Sequence, residues 1–107
     1  MKVKAVLLAT VFLAGCAATM PSVEGPYNQA KASYEAGRYA DAVKGFQDYI
    51  AQYPDSPMTE VAMYYLADSY RQAGKTDEAK KAYEALIKKY QAGSWVDWAK
   101  RDLKEMK

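Results

Sequence analysis

The segment EAGRYADAVKGFQDYIAQYPDSP returns 37 residues later as QAGKTDEAKKAYEALIKKYQAGS, pairing Gly37 with Gly74, Ala42 with Ala79, Phe46 with Tyr83, Ile50 with Ile87 and Tyr53 with Tyr90. Each glycine closes a helical pattern, YNQAKASYEA in the first copy and TEVAMYYLADSYRQA in the second. A unit of two helices around a glycine turn cannot bury its apolar face alone, and stacking copies buries a continuous core, so the pattern predicts a helical solenoid. With 107 residues, half of them apolar, the chain is sized for one small domain.

The repeat resembles the tetratricopeptide repeat, and the residues that carry the likeness have physical roles. Gly37 and Gly74 supply the left-handed turn between helices. Ala30 and Ala67 on the first helix of each pair, and Ala42 and Ala79 on the second, permit close approach, while Phe46 and Tyr83 fill the space between. Pro54 ends the first repeat, and Ser56-Pro57 reads as a cap followed by proline at the first helical position. In the second copy Gln91 replaces the proline, but Gly93 and Ser94 read as a stop and a new cap, with Ser94 to Asp97 spaced as a capping box. A last helix follows, in which Ala99 aligns with Ala62 and Leu103 with Leu66. Lys104 there occupies the place of Ala67, so this helix reads as a polar terminal cap. The resemblance implies an all-α, right-handed helical solenoid of two tetratricopeptide repeats plus a capping helix. The five helices are expected at about 26–36, 39–52, 58–73, 76–90 and 95–106, within a domain spanning 26–107.

The amino terminus has a different grammar. Lys2 and Lys4 precede the apolar run Ala5 to Leu13, the layout of a secretory signal and about half the length a membrane-spanning helix needs. It ends in Leu13-Ala14-Gly15-Cys16, which resembles the bacterial lipobox. That likeness implies removal of residues 1–15, a lipid on the Cys16 sulfur, usually a further acyl chain on the new amino group, and a membrane-tethered protein. Ala17, where an Asp would favour inner-membrane retention, implies the periplasmic face of the outer membrane. Residues 16–25 read as the lipidated Cys and a flexible tether. The formal charge of +2 then belongs to the leader, because without Lys2 and Lys4 the side chains balance at 13 basic and 13 acidic.

The composition argues against catalysis. There is no His and only one Cys, which removes the commonest general base and metal ligand together with the thiol nucleophile. Asp77 and Glu78 sit at a helix start, where negative charge suits the macrodipole, and Glu84 precedes Lys88 at an ion-pair spacing. No cofactor, metal or nucleic acid is expected, since the lysines of the fourth helix alternate with acids.

The phrases YADAVKGFQDYIAQYPDSP and YYLADSYRQAGKTDEAKKAYEALIKKY resemble bacterial envelope members of the repeat family. These are the repeat domain of the Tol-Pal-associated cell-division coordinator and, more distantly, the repeat lipoprotein of the outer-membrane β-barrel assembly machine and the pilotins of type IV pili. The resemblance implies a protein–protein adaptor for a periplasmic or outer-membrane protein or peptide. The alternative is a structural subunit that oligomerises or contacts peptidoglycan. In such repeats the first helices line the binding face. The matching residues are Tyr27, Lys31 and Tyr34, then Val61, Tyr64, Asp68 and Arg71, then Trp98, Arg101 and Glu105, a set rich in the Tyr, Trp and Arg favoured at interface hot spots. Tyr65, Tyr70 and Tyr83 are read as structural. Trp95 and Trp98 are open to packing on a neighbouring helix or to covering a sugar face. A solenoid of so few repeats is also a candidate for homo-oligomerisation.

Overall fold

The computed structural model describes residues 24–106. The leader, the lipidation site at Cys16 and most of the tether therefore lie outside the described residues. Five helices follow one another: α1 Glu24–Glu35, α2 Tyr39–Gln52, α3 Thr59–Gln72, α4 Thr76–Tyr90 and α5 Ser94–Glu105. Among the described residues there is no strand. Successive helices pack on each other, and the first helices of the units also touch, α1 on α3 and α3 on α5. This is the all-α repeat stack expected from the sequence.

Helix ends follow from local chemistry. Gly37 and Gly74 both stand at φ +81°, a region costly for residues with a Cβ. At each the chain closes the same double bond pattern. Gly37 N–H donates to Tyr34 O and Arg38 N–H to Ser33 O, while Gly74 N–H donates to Arg71 O and Lys75 N–H to Tyr70 O. Two orphan carbonyls at each helix end are thereby satisfied. Helix α1 begins at Glu24, inside the segment read as tether, because Pro26 falls in its first turn, where a missing N–H costs nothing.

The two linkers between repeats differ. Before α3, the Ser56 Oγ accepts from Met58 N–H at 3.1 Å while Ser56 N–H donates to Thr59 Oγ1 at 3.0 Å, a reciprocal pair that closes the turn leading into the helix. Thr59 passes its own proton to the Tyr53 carbonyl. The expectation of Ser56 as cap and Pro57 as first helical residue therefore needs correcting, because regular helix starts only at Thr59, and Met58 holds the cap position with no side-chain cap bond. Before α5 the expectation needs correcting. Gly93, at φ +123°, holds the cap position with no side-chain cap bond, and Ser94 is already helical. The chain has just turned through Gln91 in left-handed geometry, φ +68°, and only glycine adopts the next conformation without strain.

The core reproduces the repeat. Shifted by 37 residues, Tyr27 becomes Tyr64, Ala30 becomes Ala67, Ala42 becomes Ala79, Phe46 becomes Tyr83, Tyr49 becomes Leu86 and Ala62 becomes Ala99, and every member of these pairs is buried. Each large side chain so buried contributes about 1.5–3 kcal/mol. Between α1 and α2 the approach is closer than the alanines alone require. A Cβ placed on Gly45 would lie 2.8 Å from the Ala30 Cβ, and the equivalent position in the second unit carries Ala82.

Candidate functional site

Helices α1, α3 and α5 present one continuous face, tied together by side chains that reach from each helix to the next. The Tyr34 hydroxyl on α1 donates to Asp68 on α3. One repeat later the same two positions are Arg71 and Glu105, which pair at 3.4 Å. A second set of bridges lies deeper. Tyr64 donates to Asp102 Oδ2 at 2.6 Å, and the Tyr83 hydroxyl lies 3.3 Å from both Asp68 Oδ1 and Asp102 Oδ2. A hydroxyl has one proton, so Tyr83 serves the two carboxylates alternately.

Asp102 is the centre of this network and is only 2% exposed. Its Oδ1 takes Arg101 Nη2 at 3.0 Å and Arg71 Nη1 at 3.7 Å. A buried carboxylate is tolerable when hydrogen bonds and opposite charges surround it, and here hydroxyls cover one oxygen and guanidiniums the other. Burial, reinforced by the nearby carboxylates, pushes the Tyr34, Tyr64 and Tyr83 hydroxyls well above the ordinary tyrosine value. Burial likewise pushes Tyr27 up to about 12. All four are neutral at any physiological pH, and Tyr34, Tyr64 and Tyr83 act as donors.

An aromatic row runs beside the polar network. Tyr34 meets Tyr65 at 5.0 Å between ring centroids, Tyr65 meets Tyr64 at 5.8 Å, Tyr64 meets Trp95 at 5.3 Å, and Trp95 meets Trp98 edge-on at 5.0 Å. Lys31 stands over the Tyr65 ring at 5.4 Å and Arg101 over Trp98 at 5.8 Å, both within cation–π range.

The structure divides the ten residues read from sequence. Lys31, Tyr34, Val61 and Arg71 are half-buried along the face, and Trp98, Arg101 and Glu105 are exposed, Trp98 at 45%. Tyr27 (5%), Tyr64 (8%) and Asp68 (7%) are buried. Tyr27 packs between Phe46 and Tyr49, so its side chain belongs to the core and not to the accessible face. Tyr64 and Asp68 form the floor. Of the two tryptophans, Trp95 packs on Tyr64 and Trp98 is open to solvent. Asp102 was missed by sequence reasoning. Its signal was its register, since Val96, Ala99, Asp102 and Met106 recur at helical spacing on the side of α5 turned to the core, and a charge on such a stripe must be buried with partners.

A stack of helix pairs joined by glycine turns, with its first helices forming one aromatic and charged face, defines a helical repeat protein of the kind that presents an extended binding surface. The chain belongs to the tetratricopeptide repeat family, whose model matches residues 27–56 and 61–92. It is also similar to the outer membrane protein assembly factor BamD of Xylella fastidiosa strain Temecula1, with 37% identity over 95 residues, covering 80% of this chain and 32% of that protein. The same factor from strain 9a5c matches to the same extent. The chain spans about a third of the length of these curated relatives, 32%.

Proposed function

We propose that the protein is a non-enzymatic adaptor of the cell envelope, anchored through lipid at Cys16 to the periplasmic face of the outer membrane, and that it holds a partner protein or peptide on the face formed by α1, α3 and α5. The observation that carries this reading is the exposed edge of that face. Trp98, half-open to solvent and capped by Arg101, is linked through Arg101 and Asp102 to Arg71 and continues an aromatic row to Lys31. Aromatic and arginine side chains held in place by neighbours lose little entropy on binding and make strong contacts. The likeness to an outer-membrane assembly factor supports the envelope context.

The test is site-specific photocrosslinking in the native envelope, with the crosslinker at position 61 or 98 and a control at position 44 on the exposed side of α2. The reading expects discrete protein adducts at 61 and 98 that are absent at 44 and are lost with Arg71→Ala. Identical adduct patterns at all three positions would refute the assignment of the face. The anchor is tested separately, because Cys16→Ser should release the protein from the membrane fraction.

A further inference from the structure

The repeat period exposes a second surface, remote from the face just described. Helix α4 seats on α3, burying Ala79 and Tyr83 together with Ala67 and with Met63 packed alongside, and its first turn lies beside Ala40 and Val43 of α2. Met63 and Ala67 of α3 pack with α4 and Val43 of α2 lies beside its first turn, with Gln47 one turn on from Val43 and Leu66 packed on the core of the first repeat. Advanced by 37 residues, these five positions become Lys80, Glu84, Lys100, Leu103 and Lys104. Those same five residues line an open groove of about 450 Å³ between α4 and α5. The groove is thus the next helix seat in the stack, and among the described residues no helix occupies it.

Its chemistry differs from that of the aligned positions in charge. Val43, Met63 and Ala67 are replaced by Lys80, Lys100 and Lys104 and Gln47 by Glu84 around an unchanged leucine, a net gain of two positive charges. Among the described residues none of these three lysines is in an ion pair. Lys100 and Lys104, four apart on one side of α5, repel each other, while their methylene stems extend the apolar floor around Leu103.

We infer that the α4–α5 groove docks an acidic amphipathic helix of a partner protein, lying on α5 as α4 lies on α3. Its apolar stripe covers Leu103, and carboxylates on either side of that stripe meet Lys80, Lys100 and Lys104. Because Lys104 stands where Ala67 allows close approach, the visiting helix sits farther out than α4 does, and its hold depends on charge. Binding is consequently weak and salt-sensitive.

The probe is a fluorescent synthetic peptide with the α4 sequence, residues 76–90, carrying Lys80→Glu, Lys81→Glu, Lys88→Glu and Lys89→Glu. It is titrated with the full chain and followed by anisotropy. The expected Kd is on the order of 10–100 μM at low salt, weakened about tenfold in the Lys100→Glu/Lys104→Glu protein and for the unaltered α4 peptide. Both lysines are exposed, so the variant keeps its helical circular dichroism. Trp98→Ala, on the other face, leaves this binding unchanged. Equal binding to wild type and to the double variant would overturn the inference, as would no binding up to about 1 mM peptide. Lysine-dependent binding to phosphatidylglycerol vesicles without peptide binding would also overturn it, assigning the groove to a lipid surface.

Discussion

Gly45→Ala tests the packing of the first repeat at its tightest point. The added methyl would sit 2.8 Å from the Ala30 Cβ and 3.2 Å from the Ala30 Cα, whereas ordinary carbon contacts begin near about 3.5 Å. Neither neighbour can rotate away, so α1 and α2 must separate by several tenths of an ångström, and overpacking against such fixed atoms costs about 2–3 kcal/mol, the upper part of the usual range. Helix propensity returns about 1 kcal/mol, since Gly45 lies inside α2 and alanine is the better helix former. The expected net loss is about 1–2 kcal/mol, a fall in Tm of roughly 5–10 °C for a domain of this size. Urea unfolding followed by circular dichroism measures it. The double variant Ala30→Gly/Gly45→Ala moves the methyl across the interface and should recover most of the loss, giving a favourable coupling of about 1–2 kcal/mol in a double-mutant cycle. A Gly45→Ala protein as stable as wild type, or a cycle with no coupling, would show that the helices do not meet as closely as argued.

Three further outcomes are expected. The four tyrosines with raised values, Tyr27, Tyr34, Tyr64 and Tyr83, are neutral donors or core residues. A folded-state value above the unfolded one near 10 means that their contribution is complete below pH 10 and is lost as pH rises past it, through about 12 for Tyr27. Ultraviolet titration should therefore show these four of the ten tyrosines ionising late and together with unfolding; ten independent titrations near pH 10 would contradict the network. Asp102→Asn keeps an acceptor for Tyr64 but removes the charge facing Arg71 and Arg101, and should cost about 1–2 kcal/mol, tempered because both guanidiniums reach solvent. Thermal unfolding gives the loss, and tryptophan fluorescence should shift as Arg101 leaves Trp98. Ser69→Ala should stabilise by about 0.5–1.5 kcal/mol in chemical denaturation, because the Ser69 hydroxyl is fully buried without a hydrogen-bond partner and alanine favours the helix; a loss of stability would mean that the hydroxyl is satisfied in solution.

The amino-acid sequence alone determined the helix count, the repeat and the paired core positions. Gly37 and Gly74 mark turns by backbone sterics, a local effect, and pairs such as Phe46 with Tyr83 are buried alike because both copies present the same helical stripe. Helix boundaries were legible for the same reason, to within two residues. The tertiary structure decided whatever depends on how one helix is rotated and spaced against another. Tyr27 turned inward and Trp98 outward although both fall on binding-face positions of the repeat. The need for glycine at position 45 arises only where α1 lies against α2, with the Ala30 Cβ too close for another methyl. Asp102, in the polar run KRDLKE, became the most enclosed charge among the described residues because hydroxyls from α3 and α4 and a guanidinium from α3 converge there. The groove of Lys80, Lys100 and Lys104 likewise exists only once α4 and α5 are stacked. Periodicity is a property of a single helix, whereas burial, charge compensation and open seats are set by distances between helices, which no single helical stripe encodes.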